Sequence, residues 1–333
     1  MASVFRREWT EARWIQLERS TRAAIQGSGS EREAWRRINR SARCVLRAFS
    51  TSFFLVTRFL PPEKREAVEI IYAAVRYPDE VVDTFPLSAE ERSVRLDVWR
   101  GAYARALTRR SLRESVDAES PLFPAAFAAV VKRYGIPHEH YASFLDAMER
   151  DIRPKPFPAL DALVDEYIYG SAIVVGYFLA HVYGPSAPGE LPRALAAARN
   201  LGIALQLTNF TRDIGEDWRR GRVYMPLDLL EYEGIHELRP GDPAQREPLA
   251  RAAARLTAIA EAHYAEAEAN LDAFAADSRT AIHACIDVYR QLNQRIAANS
   301  RGVARRATVP MRHKFRVLPP SKYWRLPLAY LSR

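Results

Sequence analysis

Asn209, Asp213 and Asp217 stand at intervals of four in the stretch Leu201 to Pro226, LGIALQLTNFTRDIGEDWRRGRVYMP. Residues four apart lie one above another on the same face of an α-helix, so this spacing predicts a helix with a ladder of three oxygen-bearing side chains. Two carboxylates one turn apart repel each other, and the ladder calls for a compensating cation. Oxygen donors suit a hard ion such as Mg²⁺, which prefers carboxylates, water and phosphate oxygens. Arg219, Arg220 and Arg222 follow directly and offer donors for the rest of a phosphate group. A solvated acidic face followed by a solvated basic turn would read the same way, and the ladder alone does not separate the two.

A second ladder shifts the balance. In IYAAVRYPDEVVD, Asp79 and Asp83 are again four apart, with Arg76 one turn before Asp79. Two Asp-x-x-x-Asp pairs, each beside an arginine and each on an apolar helical segment, are poorly explained as surface decoration. If the two helices face each other, four carboxylates can hold a small cluster of divalent ions. Such ions bind a diphosphate and help it leave as an anion.

The rest of the chain is predicted to be helical throughout, because no convincing alternating strand pattern occurs. At 333 residues it is long enough for one large α-helical enzyme. Its net charge of +9, carried mostly by arginine, implies attraction to anions. No zinc-finger spacing or RNA-binding signature is present, so nucleic acid is not an expected partner. The two cysteines, Cys44 and Cys285, lack metal spacing and are expected to be buried thiols in a reducing compartment. Arg6, Arg7 and Glu8 interrupt the N-terminus, and no apolar core of a signal peptide is seen. These features predict a cytoplasmic location.

Tyr167 to Gly184 (YIYGSAIVVGYFLAHVYG) contains no Asp, Glu, Lys or Arg. Its length is at the lower edge of a membrane span, but its glycines, tyrosines and histidine favour a buried helix lining an apolar cavity. Residues 1–40 are expected to form a helical N-terminal extension carrying Trp9 and Trp14, 41–316 a catalytic domain, and 317–333 a basic aromatic tail. The Pro61-Pro62 pair starts a helix that is predicted to end near Pro78, since an internal proline bends or interrupts a helix. Ser88 and Glu91 form a capping-box pattern that opens the next helix, to about Thr108. Further helices are expected over 121–134, 137–152, 247–276 and 278–298. The tail supports two readings, an ordered cap over the body or a membrane-surface contact through Lys, Arg and aromatic residues. The second would place the protein peripherally on the inner face of the membrane.

These motifs resemble the squalene/phytoene synthase family, which joins two prenyl diphosphates head to head. The likeness covers about residues 41 to 316. QLTNFTRDIGEDWRRGRVYMP resembles the family's second Asp-rich signature, and YAAVRYPDEVVD stands where the first belongs. The resemblance implies an all-α isoprenoid synthase bundle around a central apolar cavity and a prenyl diphosphate substrate. It implies that Asp79, Asp83, Asn209, Asp213 and Asp217 are the metal ligands, for Mg²⁺ with Mn²⁺ as a substitute. Tyr72 and Arg76 match positions that touch substrate and diphosphate, and Gln206 sits a turn before Asn209. Ser50 and Ser52 match a hydroxyl pair at the diphosphate, Tyr167 a cavity tyrosine, and Tyr289 and Arg306 a tyrosine and arginine that close over the diphosphate. Arg222 belongs to the arginines after the second motif. Each tyrosine also fits an ordinary buried aromatic, each serine a helix cap, and Arg305 rivals Arg306. Three positions depart from the family pattern: Phe49 where histidine is frequent, Ile173 where glycine is usual, and Glu80 where a second consecutive Asp is common.

The expected reaction ionises one diphosphate, couples through a cyclopropyl diphosphate and ends in a linear product. With geranylgeranyl diphosphate and no NADPH this gives phytoene. With farnesyl diphosphate it gives squalene, dehydrosqualene or hydroxysqualene. A non-catalytic family member acting as a scaffold, or a basic membrane-surface module, are the alternatives of another class. Chain length and oligomeric state are left open.

Overall fold

A computed structural model describes residues 9–27, 29–118, 121–298 and 307–331. Among these residues the regular structure is helical, and the one extended pairing is an isolated bridge between Pro185 and Phe274. The chain divides into two compact units, one of residues 1–57 and 61–152, the other of 58–60 and 153–333.

The first unit holds α1 (Glu11–Gln26), α2 (Glu31–Phe49), α3 (Thr51–Thr57), α4 (Pro62–Asp83), α5 (Ala89–Thr108), α6 (Leu112–Ala118), α7 (Leu122–Tyr134) and α8 (Glu139–Arg150). Helix α4 packs against α2, α5, α7 and α8. A buried polar link fixes it to α2: Asn39 Nδ2 donates to the Glu66 carbonyl at 3.1 Å and to Glu69 Oε2 at 3.0 Å. The Ser88–Glu91 capping box forms as expected, with both reciprocal bonds made. Helix α2 runs unbroken through residue 40, where the N-terminal extension was expected to end. No Gly or Pro interrupts it there, and its buried face (Ala34, Ile38, Ala42, Val45) continues across that position. Cys44 lies off that face and is exposed, contrary to expectation, whereas Cys285 is buried. Burial pushes the Cys285 thiol up to about 12, which keeps it unreactive.

Helix α1 is tied to the same unit. Trp14 is buried among the rings of Phe49, Tyr77 and Phe123, and Glu11 Oε1 accepts from Arg95 Nε at 2.7 Å. Glu18 accepts the backbone N–H of Leu122 at the start of α7.

Pro78 does not end α4. The helix passes through it and stops only after Asp83, so Asp79 and Asp83 do lie one turn apart on a continuous helix. A proline inside a helix removes one N–H and crowds the carbonyl four residues back. Here that carbonyl belongs to Ala74, and it accepts instead from the Tyr141 hydroxyl at 2.8 Å.

The second unit holds α9 (Leu160–Leu163), a π-helical stretch (Val164–Ile173), α10 (Val174–Tyr183), α11 (Leu191–Arg219), α12 (Leu227–Tyr232), α13 (Arg246–Ala269), α14 (Ala276–Ala297), α15 (Met311–Val317) and α16 (Lys322–Leu331). Helix α13 ends at Ala269, earlier than the sequence pattern suggested, and a single 3₁₀ turn over Leu271–Ala273 leads to α14. The uncharged run is a π-helix through Ile173 and an α-helix after it, rather than one α-helix. The helical stretch Leu160–Tyr183 that contains it is long and apolar enough to cross a membrane by length and composition, and 39% of the qualifying window is buried within the protein. Ile173 is fully buried. Close crossing to α11 is made by glycines: a Cβ on Gly176 would come within 2.9 Å of the Ala198 carbonyl oxygen, and one on Gly202 within 3.1 Å of the Ile173 Cα. In the tail, the Lys322 ammonium donates to the carbonyls of Phe315, Arg316 and Leu318 at 2.7, 3.2 and 2.9 Å, closing the C-terminal end of α15.

Candidate functional site

The first ladder is the accessible stripe of an otherwise buried helix. On α4, Ala73, Ala74, Tyr77, Glu80, Val81 and Val82 are buried, while Tyr72, Arg76, Asp79 and Asp83 remain partly accessible. Arg76 Nη1 lies 2.6 Å from Asp79 Oδ2, and Nη2 bonds to Glu80 Oε1. The Arg76 guanidinium also lies over the Phe49 ring, 4.4 Å from its centroid. A phenylalanine at this position therefore orients the arginine by a cation–π contact. Tyr72 packs beside Phe53, with ring centroids 5.9 Å apart. Ser50 caps α3, its Oγ accepting from the Phe53 N–H at 3.2 Å, and Ser52 is half-buried on that helix. Ser50, Phe53 and Tyr72 thus follow one another in contact, and Arg76 joins them through Phe49.

The electrostatics are unbalanced. Burial pushes the Asp79 carboxyl up to about 7; Arg76 opposes this, and Asp83, Glu80 and Asp151 reinforce it. The Asp79 side chain keeps 34% of its surface accessible, so the low-dielectric packing around it acts together with a wet outer edge. Burial works against the charge on Arg76, but Asp79, Tyr72, Glu80 and Asp83 outweigh it and hold the guanidinium firmly protonated. Burial raises the Glu80 carboxyl, and Arg76 and Thr84 pull it back. Glu80 is turned inward and only 2% exposed, so it anchors Arg76 rather than adding a third ligand beside Asp79. Asp151, which caps the end of α8 and is buried, was not picked out from the sequence.

The second ladder is built the same way on α11. Its buried side (Ile203, Ala204, Leu207, Thr208, Thr211, Ile214) faces the unit, and Gln206, Asn209, Asp213 and Asp217 remain partly accessible. Thr208 Oγ1 fixes the helix against α13 through the Tyr264 hydroxyl at 3.0 Å. Arg212 clasps the neighbouring Asp213, Nε to Oδ1 at 2.8 Å with Nη2 on Oδ2. Burial lowers the Arg212 pKa, and Asp213, Tyr289 and Glu216 more than restore it; this puts Tyr289 within electrostatic reach of the ladder. Gln206 Nε2 reaches Ser171 Oγ at 3.4 Å. Beyond Asp217 the chain turns at Gly221, whose φ of 75° suits glycine. Arg219 and Arg220 point to solvent, whereas Arg222 is buried.

Tyr167 lies in an aromatic stack that includes a partner the sequence did not single out. Its hydroxyl is 3.0 Å from that of Tyr224, and Tyr224 stacks on Phe210 at 4.3 Å. Tyr224 sits in the RVYMP end of the second motif, so proximity to Asp217 was the available signal. Arg306 lies outside the described residues.

Among the described residues no three Asp, Glu, His or Cys side chains gather closely enough to form a complete metal cage. Each ladder offers one pair of carboxylates or a carboxylate and an amide, and Mg²⁺ is commonly held by one or two protein carboxylates with water and substrate phosphates supplying the rest. Around Asp79 the carboxylates of Glu80, Asp83 and Asp151 outnumber the one arginine, Arg76, a charge balance compatible with an added cation.

The described residues thus form an all-α fold that carries two acidic helix turns, each beside an arginine. The model of the squalene/phytoene synthase family matches residues 46–313, and the chain belongs to that family. It is 31% identical over 284 residues to phytoene synthase 3 of Zea mays, covering 83% of this chain and 64% of that protein, so it spans less than two thirds of that relative's length. It is 31% identical to 15-cis-phytoene synthase of Pantoea ananas, covering 74% and 78% of the two chains. It is 32% identical to presqualene diphosphate synthase of Sinorhizobium fredii, covering 66% and 74%. The fold matches a crystal structure of a dehydrosqualene synthase with a TM-score of 0.73 at 19% identity, over 91% of this chain and all of that one.

Proposed function

We propose that this chain is a prenyltransferase that joins two geranylgeranyl diphosphates head to head into phytoene and releases diphosphate. The observation that carries the reading is the pair of arginine-flanked Asp ladders, both inside the family match. The phytoene synthase names of its relatives support the choice of substrate. Asp79 and Asp83 on α4, and Asn209, Asp213 and Asp217 on α11, would hold Mg²⁺ or Mn²⁺, which when bound supplies charge neutralisation for the leaving diphosphate. Arg76, oriented by Phe49 and Glu80, and Arg212, paired with Asp213, are charged at any working pH and add donors for phosphate oxygens. Ser50, Ser52, Gln206, Arg222, Tyr289 and Arg306 complete the proposed substrate contacts. The Tyr167–Tyr224–Phe210 stack offers aromatic faces and no base, as a short-lived allylic cation requires. No step in this scheme uses NADPH.

The second reading, condensation of farnesyl diphosphate to a C30 product, is favoured by the presqualene diphosphate synthase relative. One assay separates them: purified protein with Mg²⁺ and either substrate, with and without NADPH, followed by identification of the extracted hydrocarbon. A C40 product without NADPH is expected. A C30 product moves the assignment to the second reading. No product from either substrate, with diphosphate still bound, moves it to a non-catalytic scaffold.

We also place the protein in the cytoplasm, peripherally on the membrane that receives its apolar product. Exposed Met311 and Tyr323 among the basic residues of α15 and α16 support this. Pelleting with anionic vesicles, lost on changing both residues to serine, would bear it out; no pelleting would rule it out.

A further inference from the structure

The internal proline of α4 lies one residue before the first ladder, and its structural cost is met from another helix. Without an N–H at residue 78, the Ala74 carbonyl loses its helical partner. Left alone in the core, such a group is costly. Tyr141 on α8 supplies the missing donor at 2.8 Å, and the Tyr141 oxygen accepts in turn from Trp99 Nε1 on α5 at 2.7 Å. All these groups are fully buried: Tyr141, Trp99 and Ala74 are each 0% exposed. Trp99 also stacks on Tyr77, with ring centroids 4.3 Å apart and planes 15° from parallel. Burial drives the Tyr141 hydroxyl well above the usual range, so it remains a permanent donor. Helices α5 and α8 therefore converge on the turn of α4 that immediately precedes Asp79.

We propose that Tyr141, held by Trp99, is a positioning residue that stabilises α4 through Pro78 and so fixes the direction in which the Asp79–Asp83 pair is presented to its metal. The inference rests on the reading of that pair as a cation site, but not on the identity of the prenyl substrate. It differs from a general packing role because it is specific to one carbonyl, and that carbonyl is orphaned only while residue 78 is proline.

A double-mutant cycle tests it. Tyr141→Phe keeps the ring and removes the donor. Pro78→Ala restores an N–H that can take the Ala74 carbonyl. Mn²⁺ binding to the substrate-free protein, read by electron paramagnetic resonance, supplies a measurement independent of turnover. The half-saturating Mg²⁺ concentration is read beside kcat in the product assay. Tyr141→Phe should weaken Mn²⁺ binding about tenfold, the lower end of what losing a supporting group around a metal site costs. In the Pro78→Ala background the same change should cost less than about twofold. Additive losses, or a lowered Tm with unchanged Mn²⁺ affinity, would overturn the proposal. If Tyr141→Phe does not fold, Trp99→Phe is the second variant. It leaves the Tyr141 donor but frees its orientation, and should weaken Mn²⁺ binding in the same direction by less; unchanged binding would again overturn the proposal. Coupling in the Mn²⁺ cycle with no hydrocarbon from the wild-type chain would refute the functional reading while leaving this one standing. A wild-type chain that binds no Mn²⁺ refutes this inference, and the product assay alone then decides the functional reading.

Discussion

Asp213→Ala should abolish detectable hydrocarbon formation, with a loss of at least about a hundredfold, while the chain stays folded. Asp213 would hold the cation that neutralises charge on the leaving diphosphate, and losing one such electrostatic contribution typically costs about 10²–10³ in rate. Stability should move little, because Asp213 is a partly accessible side chain on the open face of α11 and contributes no core volume. Its loss relieves repulsion from Asp217 one turn on, and Arg212 keeps Glu216 as a neighbouring charge. The circular dichroism spectrum and Tm should match the wild type. Activity within threefold of wild type, with a normal spectrum, would remove Asp213 from the proposed metal ligands.

Trp14→Ala should have the largest effect on stability, about 3–5 kcal/mol, as for other large buried aromatics cut back to alanine. The indole is 1% exposed and touches Trp9, Phe49, Tyr77 and Phe123. Two of those rings lie next to the first ladder: Phe49 under Arg76, and Tyr77 on α4. The variant should therefore lose activity at temperatures where it is still folded, and Trp14→Phe should recover most of both. An unfolding free energy from urea titration within about 0.2 kcal/mol of the wild type would show that α1 is dispensable to the first unit.

Periodicity made the ladders legible. Asn209, Asp213 and Asp217, and Asp79 and Asp83, could be placed on helix faces from spacing alone because i to i+4 stacking needs no tertiary information. The capping box at Ser88 was legible for the same reason. Features that depend on distant residues were not. Nothing near Pro78 announces that a hydroxyl from residue 141 will hold the helix together, so the local rule for proline predicted an end that tertiary contacts prevent. Asp151 reaches the Asp79 environment only through the packing of α8. Residue type alone puts Cys44 in the core, whereas the 3.6-residue period of α2 places it outside. The π-helical stretch had no sequence signal beyond its lack of charge.

The departure at Ile173 bears on how such chains change over evolutionary time. Contact between the backbones near residue 173 and α11 is permitted by Gly202, on the opposite helix. The closeness of a helix crossing is a joint property, and a missing side chain on either partner suffices. A lineage can therefore exchange a glycine for a bulky residue on one helix without parting the pair, provided the other helix keeps its own. A signature scored along one helix registers a departure there, although in this chain the close crossing is kept by the glycine on the other.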